Sequence, residues 1–349
     1  MAKQKSETSH LYLQLKLKLC EQIFNGQYED GALLPPEREL ALNFGVSRVT
    51  IRKTLEMIES EGFIARVQGS GTRVSLRTAS YPGTMDIVAL VAPAQNSFFA
   101  SFVEYFEATA EAHDSLVLFK QAHTFGTAKI GEYLFRLYQK NIRDVILWLP
   151  DQMIAEQYLR RLRGIGMNLV LFDATQTTTS ADCVSVDNFH AVESLYDYVI
   201  GQNYQNVMFV GWDNPELSSV REREEAFRVV TGSAQRVRRI NWFEKATVDQ
   251  CLFRLVAELT AQKQIPECFL CGDGELGVAL KKVLNEKATQ CRVVCVDELP
   301  EARELRLVVY AQPLKDLAER VYQCLYNQNQ RSSEWQTQNY YLKGELLIH

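Results

Sequence analysis

The 349-residue sequence predicts a small three-helix head with a β-hairpin, followed by a two-lobed α/β body with parallel sheets. Three observations carry this expectation. Between residues 11 and 74, three helix-like segments, each stopped by glycine, precede two short apolar strands joined by Gln68-Gly69-Ser70-Gly71. From Asp86 onward, short continuous apolar runs alternate with amphipathic stretches, as expected for strands buried on both faces of a parallel sheet. The body holds roughly ten strand candidates, a large number for one sheet, and two smaller sheets fit better. The reading places the head at 1–74, a linker at 75–84 and the body at 85–349.

The first helix is read over Leu11 to Phe24, with Leu13, Leu17, Cys20 and Phe24 as its apolar stripe and Asn25-Gly26 as its stop. Leu34-Pro35-Pro36-Glu37 opens a second helix that runs through Asn43. Proline costs little at a first helical position, where its missing N–H had no intrahelical partner. Glu37 and Glu39 occupy the first turn, where carboxylates favour the helix dipole. Gly45 makes the turn, and Ser47 caps a third helix from Arg48 to Glu61, ended by Gly62. Val49, Leu55 and Ile58 form its expected buried stripe, leaving Arg48, Thr50, Arg52 and Lys53 as a polar, basic N-terminal half. Strands over Phe63–Val67 and Thr72–Val74 complete the head.

Helix, short turn, helix and hairpin form the order of a winged helix-turn-helix. A recognition helix enters the major groove by its N-terminal end, whose free amides and dipole favour phosphate. Arginine pairs bidentately with guanine, and a threonine hydroxyl reaches phosphate or base edges. The string Leu34-Pro35-Pro36-Glu37-Arg38-Glu39-Leu40-Ala41, then Gly45-Val46-Ser47-Arg48-Val49-Thr50-Ile51-Arg52, then Glu61-Gly62-Phe63-Ile64 and Gln68-Gly69-Ser70-Gly71-Thr72, resembles the GntR family of bacterial regulators. The resemblance implies operator contacts from Arg38, Arg48, Arg52 and the wing glycine Gly69; Thr50 joins them from the helix reading. Pro36 departs from the pattern, since the family usually has a capping serine there.

The body continues as strand and helix in turn. Ile87–Ala92 precedes a helix near Phe99–His113, Leu116–Phe119 precedes Ala128–Asn141, and Asp144–Leu149 precedes Ile154–Gly164. Leu169–Phe172 and Val184–Val186 lead to a helix over His190–Ile200. Val207–Val210, Arg221–Val230, Val237–Ile240, Val248–Ala261, Cys268–Leu270, Leu276–Leu284 and Val293–Val296 keep the beat. In such a fold a ligand sits at the C-terminal ends of the strands, between lobes. Polar residues at those ends include Asn96, Asp173, Asp187, Arg223, Asp273 and Gln312. Carboxylates, amides and an arginine fork suit a polyol, and Phe98, Phe99, Trp148 or Trp212 offer faces for a sugar ring.

At these residues the body resembles the sugar-binding domain of the lac and galactose repressors, itself similar to periplasmic sugar-binding proteins. The matching pieces are Asn96-Ser97-Phe98-Phe99, Val184-Ser185-Val186-Asp187-Asn188, Arg223-x-x-Ala226-Phe227, Cys271-Gly272-Asp273, Val296-Asp297 and Ala311-Gln312-Pro313. The resemblance implies Arg223 and Asp273 as the main ligand contacts, with Asn96, Phe98, Asp173 and Gln312 as further walls; Trp148 joins them as an aromatic wall. The family's usual Arg after the carboxylate matching Asp173 is Ala174 here, which removes a sugar-binding fork and leaves an atypical sugar, a sugar derivative or another small polar molecule as the expected ligand.

Net charge is −5, yet residues 1–77 hold 11 Lys/Arg and 9 Asp/Glu against 27 and 34 in the remainder. A slightly basic head on an acidic body suits a DNA reader whose partner domain does other work. The polar start carries no secretory h-region, and the apolar runs are too short and interrupted to span a membrane, so a reducing cytoplasm is the expected setting. The sequence shows no G-x-G-x-x-G or Walker loop, no Gly-x-Ser-x-Gly elbow and no HExxH pair, and no enzyme activity or cofactor is expected. Cys268-x-x-Cys271 and Cys291-x-x-x-Cys295 fall inside or beside strand candidates and read as small buried hydrophobes rather than metal ligands. The expected function is a ligand-switched repressor of carbohydrate-use genes. It would bind a roughly palindromic operator in double-stranded DNA as a homodimer, with a sugar-like effector in the body. The competing expectation is a constitutive DNA-binding protein whose body only dimerises.

Overall fold

The computed structural model describes residues 2–60, 62–67, 71–75, 84–92, 97–121, 127–149, 155–174, 178–233, 236–241, 247–330 and 335–349. The head contains α1 (Ala2–Phe24), α2 (Glu37–Phe44), α3 (Arg48–Ser60) and an antiparallel hairpin of β1 (Ile64–Val67) and β2 (Gly71–Val74). Leu15, Leu19, Cys20, Ile23 and Phe24 form the buried face of α1, while Leu13 is 45% exposed. Cys20 and Phe24 are thus buried as expected, while Leu15 and Leu19 take the place expected of Leu13 and Leu17. Leucine stands at every second position from Leu11 to Leu19, so two neighbouring helical rows are equally apolar and only packing selects one.

Pro36 sits at the N-cap of α2 rather than its first helical position, with ψ of 150° and no side-chain cap. Its carbonyl still receives the first helical bonds, from Glu39 N–H and Leu40 N–H at 2.8 and 3.0 Å. Gly45 closes α2 in the left-handed region at φ 65°, the conformation that favours glycine. Ser47 Oγ accepts the Thr50 N–H at 3.1 Å, capping α3 as its sequence predicts. The buried face of α3 is Thr50, Ile51, Thr54, Leu55 and Ile58; Val49, expected inside, is 65% exposed. Ile51 is in helical register with Leu55 and Ile58, and Val49 is not.

The first lobe carries β3 (Ile87–Ala92), α4 (Ser97–Glu111), β4 (Leu116–Gln121), α5 (Thr127–Gln139), β5 (Asp144–Leu147), α6 (Glu156–Gly164), β6 (Asn168–Phe172) and β7 (Asp182–Val186). The chain then enters the second lobe with α7 (Asn188–Gly201), β8 (Val207–Asp213), α8 (Ser218–Thr231), β9 (Val237–Asn241) and α9 (Val248–Ala261). It continues through β10 (Cys268–Cys271), α10 (Gly274–Glu286), β11 (Arg292–Val296), α11 (Pro300–Glu304) and β12 (Val308–Ala311). It returns to pack α12 (Leu314–Gln330) on the first lobe, adds β13 (Asn339–Leu342) there, and crosses again to place β14 (Glu345–Ile348) on the second. The two six-stranded sheets run β13-β7-β6-β5-β3-β4 and β14-β12-β11-β10-β8-β9. Every pairing is parallel except β12 with β14. The expected α/β body with two parallel sheets is thus present. The crossings at Asp187, Gln312–Pro313 and Lys343–Gly344 form the hinge between lobes.

A buried amide fixes α12 to the first lobe. The Gln328 side chain accepts the Leu169 N–H at 2.9 Å, and donates to the Leu169 carbonyl and to Asp182, each at 2.8 Å. Arg163, half-stacked on Trp335, donates to Asn168 beside it.

The head rests on the first lobe. The Phe24 ring lies 5.1 Å from Phe135 and 5.2 Å from Tyr158, and Phe63 meets Tyr138 edge-on at 5.2 Å. Gly26 has φ 78°, and a Cβ there would strike the Arg161 guanidinium, which pairs with Glu29 at 3.5 Å. Head core and lobe core thereby share one apolar cluster. Among the described residues, no helix is long and apolar enough to cross a membrane.

Candidate functional sites: a DNA-binding face and an inter-lobe cleft

The N-terminal half of α3 presents an open polar face. Arg48, Val49, Arg52 and Lys53 are exposed, as is Arg38 on α2. Arg52 pairs with Glu37 through Nε and Nη2 at 3.3 and 3.0 Å, which holds the Glu37 carboxyl below its usual range. Thr50 behaves differently from its expectation. It is 9% exposed, and its hydroxyl sits 2.8 Å from Ser47 Oγ, so its first role is in the cap. Gly69 lies outside the described residues.

The second candidate site forms where the strands end. Asp173 follows β6, Asp273 follows β10, Asp297 follows β11 and Gln312 follows β12. Arg223 is not the solvated helix face that its charged neighbours allow. It is 7% exposed, with Nε donating to Asn188 Oδ1 and Nη1 to the Gly272 carbonyl, each at 2.8 Å, and Nη1 lying 3.9 Å from Asp297. Asn188 in turn donates to Glu222 at 2.8 Å. Asp273 caps α10 by accepting the Leu276 N–H at 2.8 Å, and also accepts the Trp212 indole N–H. Gln312 donates to Asp297. The two oxygens of Asp273 thus serve the α10 cap and the Trp212 indole.

Asp173 joins the lobes. It holds φ 52°, in the left-handed region, so that its carbonyl accepts Ser218 Oγ at 2.8 Å and its carboxylate accepts Ser219 Oγ at 3.3 Å, both from α8 of the opposite lobe. Burial pushes its pKa up to about 7. Arg223 and the Trp148 indole oppose that rise, while Glu222 and Asp297 add to it. Burial, with Asp297 adding to it, pushes Asp273 up to about 6. Trp148 is 7% exposed and boxed by Phe98 and Phe99 at 5.4 and 5.5 Å. A cavity of about 860 Å³ opens between α4, the start of α12 and α11 of the second lobe, lined by Phe98, Asp297 and Gln312 among others. Trp148, Asp173, Arg223 and Asp273 do not line it; Asp297 links it to them. Asn96 lies outside the described residues.

The sequence reading missed Asn188, Glu222, Ser218 and Ser219 as members of this cluster. Asn188 was visible in the Val-Ser-Val-Asp-Asn string, but only the fold shows that its amide bridges Arg223 and Glu222. All eight cysteines are free, and Cys271 and Cys295 stand side by side on paired strands with thiols pushed well up by burial. Among the described residues no His, Cys, Asp and Glu group is arranged to hold a metal ion.

Comparison with known proteins fits this geometry. Residues 11–74 match the family described as bacterial regulatory proteins, gntR family. The head is a GntR-type winged helix. The HTH-type transcriptional repressor NagR of Bacillus subtilis (strain 168) is 43% identical over 65 residues, 19% of this chain and 27% of that one. The arabinose metabolism transcriptional repressor of Geobacillus stearothermophilus is 25% identical over 207 residues, covering 58% of this chain and 57% of that protein. The matched stretches thus span little more than half, or about a quarter, of these relatives. Behind the GntR-type head, the body has the fold of the lac repressor dimer bound to operator and the anti-inducer ONPF. That likeness has a TM-score of 0.63 at 12% identity and covers 75% of this chain and 92% of that one. The trehalose repressor from Escherichia coli gives a TM-score of 0.61 at 16% identity, covering 75% of this chain and all (100%) of that one.

Proposed function

We propose that this chain is a transcription regulator of carbohydrate-use genes, acting in the cytoplasm as a repressor that a small polyhydroxy effector switches. The observation that carries the reading is one chain joining a GntR-type head, with Arg38, Arg48 and Arg52 on its open face, to a hinged cleft that gathers Asp173, Arg223, Asp273 and Gln312 at strand ends. The relatives named as repressors of arabinose metabolism and as NagR support it. One head reads a half-site, so two chains meet a roughly palindromic operator, and the body supplies the pairing. Phe98, Trp148, Asn96 and Gly69 complete the assigned effector and DNA contacts. The domain division is head 1–74, linker 75–84 and body 85–349.

The test is a thermal-shift screen of sugars on the full chain, repeated on Arg223→Ala. A saturable rise in Tm that the variant loses supports the cleft, because only ligand binding to the native state raises stability in this way. The absence of any ligand effect on DNA affinity would favour a constitutive DNA-binding protein whose body only dimerises.

A further inference from the structure

Val49 is the apolar exception on the open face of α3. It stands in the first turn of the helix at 65% exposure, while Ile51, Leu55 and Ile58 are almost wholly buried. On a helix of 3.6 residues per turn, Val49 and Ile58 point in nearly opposite directions, so Val49 marks the middle of the face turned from the core. Its neighbours one turn on, Arg52 and Lys53, are drawn to either side. Arg52 reaches α2, where Glu37 accepts its Nη2 at 3.0 Å. Lys53 reaches α1, where its ammonium lies 5.4 Å from the centre of the Tyr12 ring. Thr50, next along the chain, turns inward and bonds Ser47. The Val49 methyls are therefore presented in the open between two cations that are each held aside. The head gains nothing from them internally. An exposed valine is a poorer helix former than alanine, because branching at Cβ restricts χ1. The same restriction fixes both methyl groups in one orientation, so little side-chain freedom is left to lose on contact.

We infer that Val49 is a specificity-determining residue of the head, reading one thymine in each half-site through its 5-methyl group. The inference rests on α3 being the recognition helix of a DNA-binding head. A recognition helix meets base edges with its N-terminal residues, the part of α3 where Val49 stands. Base pairs present hydrogen-bond donors and acceptors there, and the thymine methyl is the apolar group among them. A rigid apolar side chain makes no hydrogen bond to a base edge, so it prefers the one edge that offers it an apolar surface. Arginines on either side serve the polar edges, and Val49 adds a discrimination that they do not make.

The experiment uses the full chain and a duplex that it selects from random sequence. Each thymine of the selected site is replaced in turn, in both half-sites together, by deoxyuridine, which pairs as thymine does and lacks only the methyl. Fluorescence anisotropy gives the affinity of the parent and of Val49→Ala for every duplex. Alanine at this exposed position favours the helix, and a Tm at or above that of the parent confirms that the head keeps its fold. The inference predicts that Val49→Ala binds the selected duplex about three- to tenfold more weakly, the worth of one or two buried methyl groups. At one thymine, loss of the methyl should weaken the parent by a similar factor and the variant by less than twofold. Non-additivity of this kind is the signature of a direct contact. Val49→Ala binding as tightly as the parent, or losing as much as the parent at every thymine, overturns the inference and leaves the DNA-binding head standing. A selection that yields no preferred duplex removes the DNA-binding reading, and the inference with it.

Discussion

Arg52 and Asp173 show how single side chains set the two sites. Arg52 is held by Glu37 in the free head, presented at the open end of α3 without burial. A guanidinium there is preorganised for a bidentate partner. Arg52→Ala should weaken operator binding roughly ten- to hundredfold, the usual worth of a bidentate base contact. Ligand binding to the body should be unchanged, and fluorescence anisotropy with calorimetry reads both. Asp173 makes a pH prediction. Its folded pKa of about 7 stands above that of an unfolded aspartate. A raised pKa means that folding favours the protonated form. Its favourable contribution is full below the unfolded value and is lost as pH rises through about 7. Asp173→Asn keeps the neutral form at all pH values. Its Tm advantage over the parent should therefore grow from pH 4 to above pH 7 and then level off. An advantage that shrinks with rising pH would refute the burial of Asp173 at the lobe junction.

At the scale of elements, α6 connects the cleft to the head. Asp173 and Ala174 leave the cleft, and the chain returns with Thr178, Thr179 and Ser180, whose hydroxyls donate to Glu156 at 2.5, 2.9 and 3.0 Å. Glu156 starts α6, and the same helix carries Gln157, Tyr158 and Arg161 onto Glu29, Phe24 and Gly26 of the head. Such a run of bonded groups is a physical route for coupling, and substitution along it is the evidence it needs. Glu156→Ala should preserve operator and effector binding measured singly and reduce the effect of one on the other several-fold. Phe24→Ala should cost about 3–5 kcal/mol of packing and free the head from the lobe. Hydrogen exchange in β1 and in α5 would then rise together; unchanged exchange in α5 would mean that the head does not bear on it.

Elements were legible in the sequence where local pattern and burial agree. Ile87–Ala92 and Val248–Ala261 match their predicted bounds because each is a complete apolar or amphipathic unit flanked by polar stops. The last fifty residues were not legible. β13 and β14 are short, half-exposed strands of four residues, and α12 buries Gln328 and Asn329 in hydrogen bonds beside its apolar face, which hides the face in the sequence. The rhythm of strand and helix also breaks there, since the chain shuttles between lobes. At the site, the residue types were readable, but their pairing was not. Val49 and Thr50 were exchanged, inside for outside, because an arginine-rich helix start hides which row faces the core. Arg223 was read as a strand-end polar residue, but only α8 shows that it lies buried under the lobe junction, bonded to Gly272.

At the scale of the whole molecule, the hinge is the element on which the proposed switch depends. Three chain crossings join two rigid sheets, and Asp173 with Ser218 and Ser219 closes them on one another. A ligand that changes this closure alters the first lobe on which the head rests, and the effect must be reciprocal between effector and operator. On the proposed reading, with two chains on a two-fold operator, any change in head placement would count twice. The decisive measurement is operator affinity of the full chain by fluorescence anisotropy. The duplex would be selected from random sequence by the protein itself, with and without a sugar that saturably raises its Tm. The account predicts that this ligand shifts operator affinity by at least fivefold, a coupling of about 1 kcal/mol, and that Arg223→Ala abolishes the shift while keeping ligand-free DNA binding. A ligand that binds the cleft and leaves operator affinity unchanged would contradict it.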